Sequence, residues 1–236
     1  MRIRLAPLDW LAAEVDGVPA GVVSARRYGE VAYIGMMAVD PERQRRGIGF
    51  ALMQAMVARL EEAGISTLLL DATDAGAPLY EKFGFRTYDW THYYERAPEP
   101  RNGPAISPDV SNDALNEAIA LDRRFYGCDR SEMLALLARE PGAMLTVAAD
   151  GYLMARETAI GPFVAESDET ARELFEAARA RRSDLIRGWA PGLNPAARRL
   201  FEDAGFPLVR SVRHMGRGAS PLRRDRIFSQ ASHGHG

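Results

Sequence analysis

The sequence predicts an α/β protein (a mixed α+β sheet arrangement) built as two lobes. Three observations carry that expectation. Apolar residues pass from strand-like alternation to three- and four-residue steps and back, twice along the chain. A stretch rich in Pro and Gly, Arg96–Pro108, separates the two passages. Both passages close on a short helix followed by Gly-Phe, at Gly84-Phe85 and Gly205-Phe206, which marks an internal repeat. A length of 236 residues suits one large domain or two small ones.

Trp10–Val15, Pro19–Arg27 and Val31–Val39 are β-prone runs parted by the turn signals Asp16-Gly17 and Tyr28-Gly29-Glu30, so an antiparallel meander is expected. Beyond Asp40-Pro41 and Gln44–Gly49, the residues Ile48, Leu52, Ala55, Met56, Arg59 and Leu60 recur at helical steps as far as Gly64. That predicts an amphipathic helix with a glycine cap. Ile65–Leu70 is a continuous apolar run suited to a buried strand. Ala77–Phe83 reads as a short helix stopped by Gly84, and Phe85–Tyr94 as the last strand of a first lobe spanning 1–95. After a linker at 96–110, Ser111 or Asp113 is placed to cap a helix through Arg124, and Ser131–Arg139 is a second helix. Ala143–Ala149, Tyr152–Glu157 and Thr158–Ala165 read as strands, Asp168–Arg181 as a helix, Asp184–Trp189 as a strand and Pro195–Ala204 as a helix. Phe206–Met215 is the final strand of a second lobe at 111–218. From Gly216 onward Gly, Ser, Arg and His without a period predict a tail, 219–236, that is loose or laid over a neighbouring surface.

Composition narrows the function. Apolar residues at 47% with 26% charged are ordinary for a soluble globular chain. No run approaches the ~18 apolar residues of a membrane span, and the first residues lack a signal-peptide core, so a cytoplasmic protein without a membrane partner is expected. A net charge of −2 offers no general attraction to nucleic acid. Cys128 stands alone, which excludes disulfides and cysteine zinc sites, and it reads as a packed thiol. His233 and His235 lack a third ligand and read as solvated, so no metal is expected. Lys82 is the one lysine among 30 basic residues, a skew that reflects coding composition.

Chemistry gathers at Gln44-Arg45-Arg46-Gly47-Ile48-Gly49. This segment joins a strand to a helix start, where backbone N–H groups lack intrahelical partners and the helix dipole is positive. Glycines allow close approach, so main-chain donors there can cradle an anion as large as a pyrophosphate, with Arg43, Arg45 and Arg46 adding charge. The segment is neither a G-x-G-x-x-G fingerprint nor a P-loop, which argues against nicotinamide and nucleoside triphosphate. A solvated Arg-rich turn is the alternative reading.

Met36-Met37-Ala38-Val39-Asp40-Pro41, then Gln44–Gly49, then Leu79-Tyr80-Glu81-Lys82-Phe83-Gly84-Phe85 resemble the acetyl-CoA-binding core of the GCN5-related N-acetyltransferases, over about Trp10–Tyr94. With Leu70-Asp71-Ala72-Thr73 and the second half, the chain resembles a bacterial subgroup with a degenerate acetyltransferase-like C-terminal domain. The resemblance implies two acyl-CoA N-acyltransferase-like lobes, the second degenerate, with acetyl-CoA as cosubstrate. It implies that Met37, Ala38 and Val39 pair with the pantetheine arm, that amides from Arg45 through Arg46, Gly47, Ile48 and Gly49 to Phe50 hold the pyrophosphate, and that Thr73 joins them. It also implies that Tyr80 protonates the departing thiolate. A phenol with a reference pKa of about 10 is protonated at neutral pH, as that role requires.

Direct attack by a primary amine also needs a proton acceptor. Relatives place a glutamate on the strand occupied here by Leu68, Leu69 and Leu70, which leaves Asp71 as the catalytic candidate and Glu30 behind it. The family core begins with a strand and two helices, whereas nine residues precede Trp10. Either the start lies upstream or the second lobe walls the acceptor site. Lacking the glycine loop, the second half is expected not to bind CoA. Its Asp122, Phe125, Arg130 and Arg156 read as helix-surface groups, with the acceptor cleft as the alternative. The partner is then a small-molecule or peptide amine, with a homodimer left open. The rival function is a non-catalytic acyl-CoA-binding regulatory module.

Overall fold

The computed structural model describes residues 4–5, 8–97, 110–182, 184–234 and 236. Most of the expected linker, and His235, lie outside them. β1 (Arg4–Leu5), β2 (Leu8–Val15), β3 (Val18–Tyr28) and β4 (Val31–Val39) pair antiparallel in sequence. Asp16 and Gly17, with φ of 55° and 77°, form the two-residue turn whose twist matches its flanking strands. α1 (Ile48–Glu62) buries Leu52, Met53, Met56, Val57 and Leu60 along one face. Its end is a glycine cap: Gly64 lies at φ 78°, its N–H bonds to Glu61 O at 2.9 Å, and Ile65 N–H bonds to Leu60 O at 3.0 Å. Next come β5 (Thr67–Ala72), α2 (Ala77–Glu81) and β6 (Arg86–Glu95).

α3 (Asn112–Tyr126) starts where the Ser111 hydroxyl accepts from Ala114 N–H at 3.2 Å, so Ser111 rather than Asp113 is the cap. α4 (Ser131–Leu137), β7 (Met144–Ala148), β8 (Gly151–Arg156), β9 (Ala159–Ala165), α5 (Asp168–Arg181), β10 (Arg187–Pro191), α6 (Pro195–Asp203), β11 (Leu208–Arg217) and β12 (Ile227–Ser229) follow.

The chain divides into two compact units. The first holds residues up to Tyr88 together with Val212–Ser220 and His233–Gly236; the second holds Asp89–Ser211 and Pro221–Ser232. The first core is built on Val23, Ile34, Met53, Met56, Leu60, Leu68, Leu70, Phe85 and Met215. The second is built on Leu153, Ile160, Phe163, Phe175, Phe201, Phe206 and Phe228.

Two strands depart from the sequence expectation. From Asp89 onward β6 belongs to the second unit, where it pairs antiparallel with β10 at Tyr93–Trp189 and stacks Tyr94 on Phe201 at 5.3 Å. From Val212 onward β11 belongs to the first unit, antiparallel to β5 with His214 opposite Asp71. Alternation identifies a strand but says nothing of its neighbour, and burial of Met215 and Tyr94 decides the matter here.

Of the two outcomes expected for the tail, the structure shows the second, chain laid over a neighbouring surface. Ile227 and Phe228 are buried, β12 pairs with β9, and Arg224 is buried with its Nε 2.7 Å from Asp89 Oδ2. In the second unit β9 and β10 pair in parallel at Arg187–Ala159 and Gly188–Ile160. Beyond that point β12 takes the gap: Trp189 N–H donates to Ser229 Oγ at 2.9 Å and Gln230 N–H to Trp189 O at 2.9 Å.

Asp122, Arg130 and Phe125 are not helix-surface groups. Asp122 and Arg130, the latter at the N-cap of α4, are a fully buried ion pair, and Phe125 is core, because the face of α3 that carries Asp122 and Phe125 packs inward. Arg156 is largely buried and pairs with Glu140 at 3.2 Å. Cys128 is half-buried, and burial pushes its thiol up to about 11, as a packed thiol would be.

Candidate active site

In the first unit β4 and β5 run in parallel from Val31–Thr67 to Ile34–Leu70 and then part. The cause lies in β4. Its register against β3 shifts between Val22 and Ser24, and Met36 adopts φ 49°, a bulge that turns the strand away from β5. The β4 edge from Met36 to Val39 is therefore released from its parallel neighbour. Met36 is 62% exposed, Ala38 is exposed, and Met37 and Val39 are half-buried. The Val39 carbonyl accepts from the Gln44 side-chain amide at 3.2 Å.

The chain then turns into α1 through Arg45 at φ 59° and Gly47 at φ 80°. Gly47 occupies the N-cap without a capping side chain, and Ala51 N–H makes the bond to Gly47 O at 2.9 Å. The amides of Ile48, Gly49 and Phe50 precede that bond and have no intrahelical acceptor. They open on a cleft of about 510 Å³ lined by Val39, Gln44, Arg45, Gly47, Ile48, Gly49, Phe50, Ala75, Gly76, Pro78, Leu79 and Lys82. Both walls come from helix starts, α1 on one side and α2 on the other. Lys82 and Arg45 bring positive charge to the rim.

Of the residues the sequence singled out, Val39, Arg45, Gly47, Ile48, Gly49 and Phe50 line this cleft, while Met37, Ala38, Arg46, Thr73 and Tyr80 are not in its lining. Arg43 is engaged elsewhere, with Nη1 3.2 Å from Val15 O and Nε 3.4 Å from Asp40. The Thr73 hydroxyl accepts from Gly76 N–H at 3.2 Å and so opens the turn into α2. Tyr80 is 8% exposed on α2, edge-on to Phe85 at 6.2 Å, and burial pushes its phenol above the ordinary value. Glu30 is exposed at the β3–β4 turn, where its carbonyl accepts from Ser66 and Thr67.

Asp71, one residue beyond the last β4–β5 pair, has a side chain with no exposed surface. Its Oδ1 is 3.0 Å from His214 Nδ1 and its Oδ2 is 3.1 Å from His233 Nδ1. Burial alone would raise this carboxyl. Hydrogen bonds and charge from the two imidazoles overcome that and hold it well below the usual carboxylate range. Neither histidine stood out as a partner of Asp71 in the sequence, and His233 is not the solvated tail residue expected. Among the described residues no group of three or more His, Cys, Asp or Glu is arranged to hold a metal ion. No helix among them is long and apolar enough to cross a membrane.

Comparison with known proteins agrees with this geometry. A model of the acetyltransferase (GNAT) family matches residues 2–85, and one of an acetyltransferase (GNAT) domain matches residues 118–229. The uncharacterized N-acetyltransferase YitH of Bacillus subtilis is 27% identical over 160 residues, which are 63% of this chain and 56% of YitH. The [ribosomal protein bS18]-alanine N-acetyltransferase of Escherichia coli is 46% identical over 52 residues, 21% of this chain and 35% of that protein. The chain thus spans about half the length of one curated relative and about a third of the other. A crystal structure of a candidate acetyltransferase from Pyrococcus horikoshii superposes with a TM-score of 0.82 at 26% identity, covering 96% of this chain and 80% of that one.

Proposed function

The chain belongs to the GNAT acetyltransferase family, and on that premise we propose that it moves an acetyl group from acetyl-CoA to a primary amine by direct attack. The observation that carries this reading is the conjunction in the first unit of a released β4 edge, a glycine N-cap at φ 80° and a cleft beside both. These features fit a pantetheine diphosphate. A β4 edge freed from β5 accepts an extended chain by strand addition, and a helix start without a side-chain cap accepts phosphate oxygens on its amides.

In this reading the amides of Gly47, Ile48, Gly49 and Phe50 hold the pyrophosphate, with Arg45 and Lys82 at the rim. Met37, Ala38 and Val39 hold the pantetheine. A main-chain N–H of β4 stabilises the oxyanion that forms as nitrogen adds to the thioester carbonyl. Tyr80, its phenol kept protonated by burial, gives the proton that the sulfur needs on leaving. The second unit plays no part in holding the cosubstrate. Its corresponding gap is filled by β12, and α5 opens with Ser167 capping Thr170 N–H and with Asp168 and Glu169 in its first turn, so the positive helix end already faces carboxylates.

Acetyl-CoA places the reaction in the cytoplasm. The acceptor is a small-molecule or peptide amine, and the relative that acts on the alanine of a ribosomal protein makes an Ala-initiated peptide one natural probe. Calorimetry with acetyl-CoA and thiol release with an amine panel test the proposal. Binding and amine-dependent thiol release are expected. Absence of binding sinks the reading, and binding without turnover on any amine favours the regulatory module instead.

A further inference from the structure

We infer that His233 and Gly234 close the inner end of the fork between β4 and β5 and thereby set the acyl group of the donor: acetyl fits there, and a longer straight-chain acyl group does not. This rests on the acetyltransferase reading above and names what limits the donor within it. The segment His233–Gly236 belongs to the first unit. The last β4–β5 pair is Ile34–Leu70, so the next residues, Gly35 and Asp71, stand where the strands part. On the β5 side His233 Nδ1 is 3.1 Å from Asp71 Oδ2. On the β4 side a Cβ on Gly35 would stand 2.9 Å from the Gly234 Cα, so Gly234 fills the space that a side chain at 35 would take. Further down β4, a Cβ on Gly236 would stand 2.8 Å from Cδ2 of Tyr33.

Ile34, Leu70 and Ala72 pack into the first core with α1 and α2, so the alternate residues Tyr33, Gly35 and Asp71 face the other side of the sheet. The cleft lies between the starts of α1 and α2, and the donor therefore enters from the helix side. In the proposed pose the pantetheine runs from Val39 through Ala38 to Met37, a direction that carries the thioester toward Gly35. An acyl chain continuing along that line leaves the carbonyl into the gap between Gly35 and Asp71, where it meets Gly234 and the His233 ring. Packing at that point is tight. The Asp71 and His214 side chains have no exposed surface, His233 Nε2 is buried, and the Tyr33 ring lies 6.0 Å from that of His214. A methyl group stops short of the gap, whereas each further methylene needs space that the segment already occupies. The outer part of the fork stays open beside Met36, which is 62% exposed, and leaves the carbonyl within reach of an amine.

The test measures binding of CoA, acetyl-CoA, butyryl-CoA and hexanoyl-CoA by calorimetry, which needs no knowledge of the acceptor. It compares wild type, His233→Ala and a chain ending at Ser232, each checked for folding by its thermal transition. Wild type should bind hexanoyl-CoA at least about tenfold more weakly than acetyl-CoA, because a chain forced into filled space displaces packed groups. His233→Ala keeps the bond between Asp71 and His214 and removes the ring at the gap. The ratio of hexanoyl-CoA to acetyl-CoA affinity should then rise at least about tenfold, as methylenes find space to be buried. The shortened chain should show the same rise, with butyryl-CoA between the extremes. Relaxed discrimination in either folded variant supports the inference. Wild type that binds hexanoyl-CoA as tightly as acetyl-CoA overturns it whatever the variants do, and so does wild-type discrimination kept in both folded variants. A wild type that binds neither CoA nor acetyl-CoA overturns the acetyltransferase reading itself, a result that wild type alone delivers.

Discussion

Asp122 and Arg130 form a closed ion pair inside the second unit, each side chain 1% exposed, with Nη2–Oδ1 at 2.7 Å and Nε–Oδ2 at 2.9 Å. The Tyr152 hydroxyl donates to the same carboxylate, and the guanidinium lies over the Tyr126 ring. Removing one partner strands a buried charge, which costs more than the pair is worth. Asp122→Ala should therefore lose about 3–5 kcal/mol of stability, read as a drop in the urea midpoint. A midpoint within error of wild type would show that the guanidinium finds another acceptor.

Gly49 tests the anion cradle. A Cβ there would meet Leu79 at 3.5 Å and Val39 at 3.7 Å, ordinary contacts, so Gly49→Asp is tolerated sterically while adding a negative charge beside the free amides. Acetyl-CoA affinity should fall by at least about tenfold, roughly 1.4 kcal/mol, with thermal stability of the unliganded protein little changed. Calorimetry that finds wild-type affinity would move the diphosphate elsewhere.

Tyr80→Phe removes the proposed proton donor and keeps the ring against Phe85. Turnover should fall about 100-fold while acetyl-CoA binding is kept, since in the proposed mechanism the phenol serves the leaving sulfur and not the diphosphate. Steady-state kinetics with unchanged kcat would make Tyr80 a packing residue.

Acid should unfold the first unit through Asp71. Its folded pKa is depressed, so its contribution is complete above the unfolded value of about 4 and is lost as pH falls from there toward the folded value. Asp71→Asn should flatten that part of the stability curve. Denaturant midpoints measured at stepped acidic pH check this, and an unchanged slope would mean that other carboxylates govern acid unfolding.

Local features were legible where the signal is local. Val31–Val39 has the bounds of β4, Ile48 opens α1, and Asp168–Arg181 is α5, because periodicity, caps and glycines act within a few residues. The glycine turn into α1 was legible for the same reason. The Asp71 cluster was not, because His214 and His233 stand 143 and 162 positions away and arrive through a strand and a tail whose neighbours no local pattern specifies. Ile227-Phe228 within a polar tail was the signal available, a buried pair implying that the surrounding chain is anchored.

The route of β11 sets a timetable for synthesis. β5 is flanked on one side by β4 and on the other by Arg213–Arg217, so a nascent chain leaving the ribosome cannot finish its first sheet until Arg217, far beyond β5 in the sequence, has emerged. A message cut short after residue 95 would yield a product with a bare β5 edge, an invitation to pair with other copies. The two units are distinguishable by contact, yet they are inherited and expressed as one.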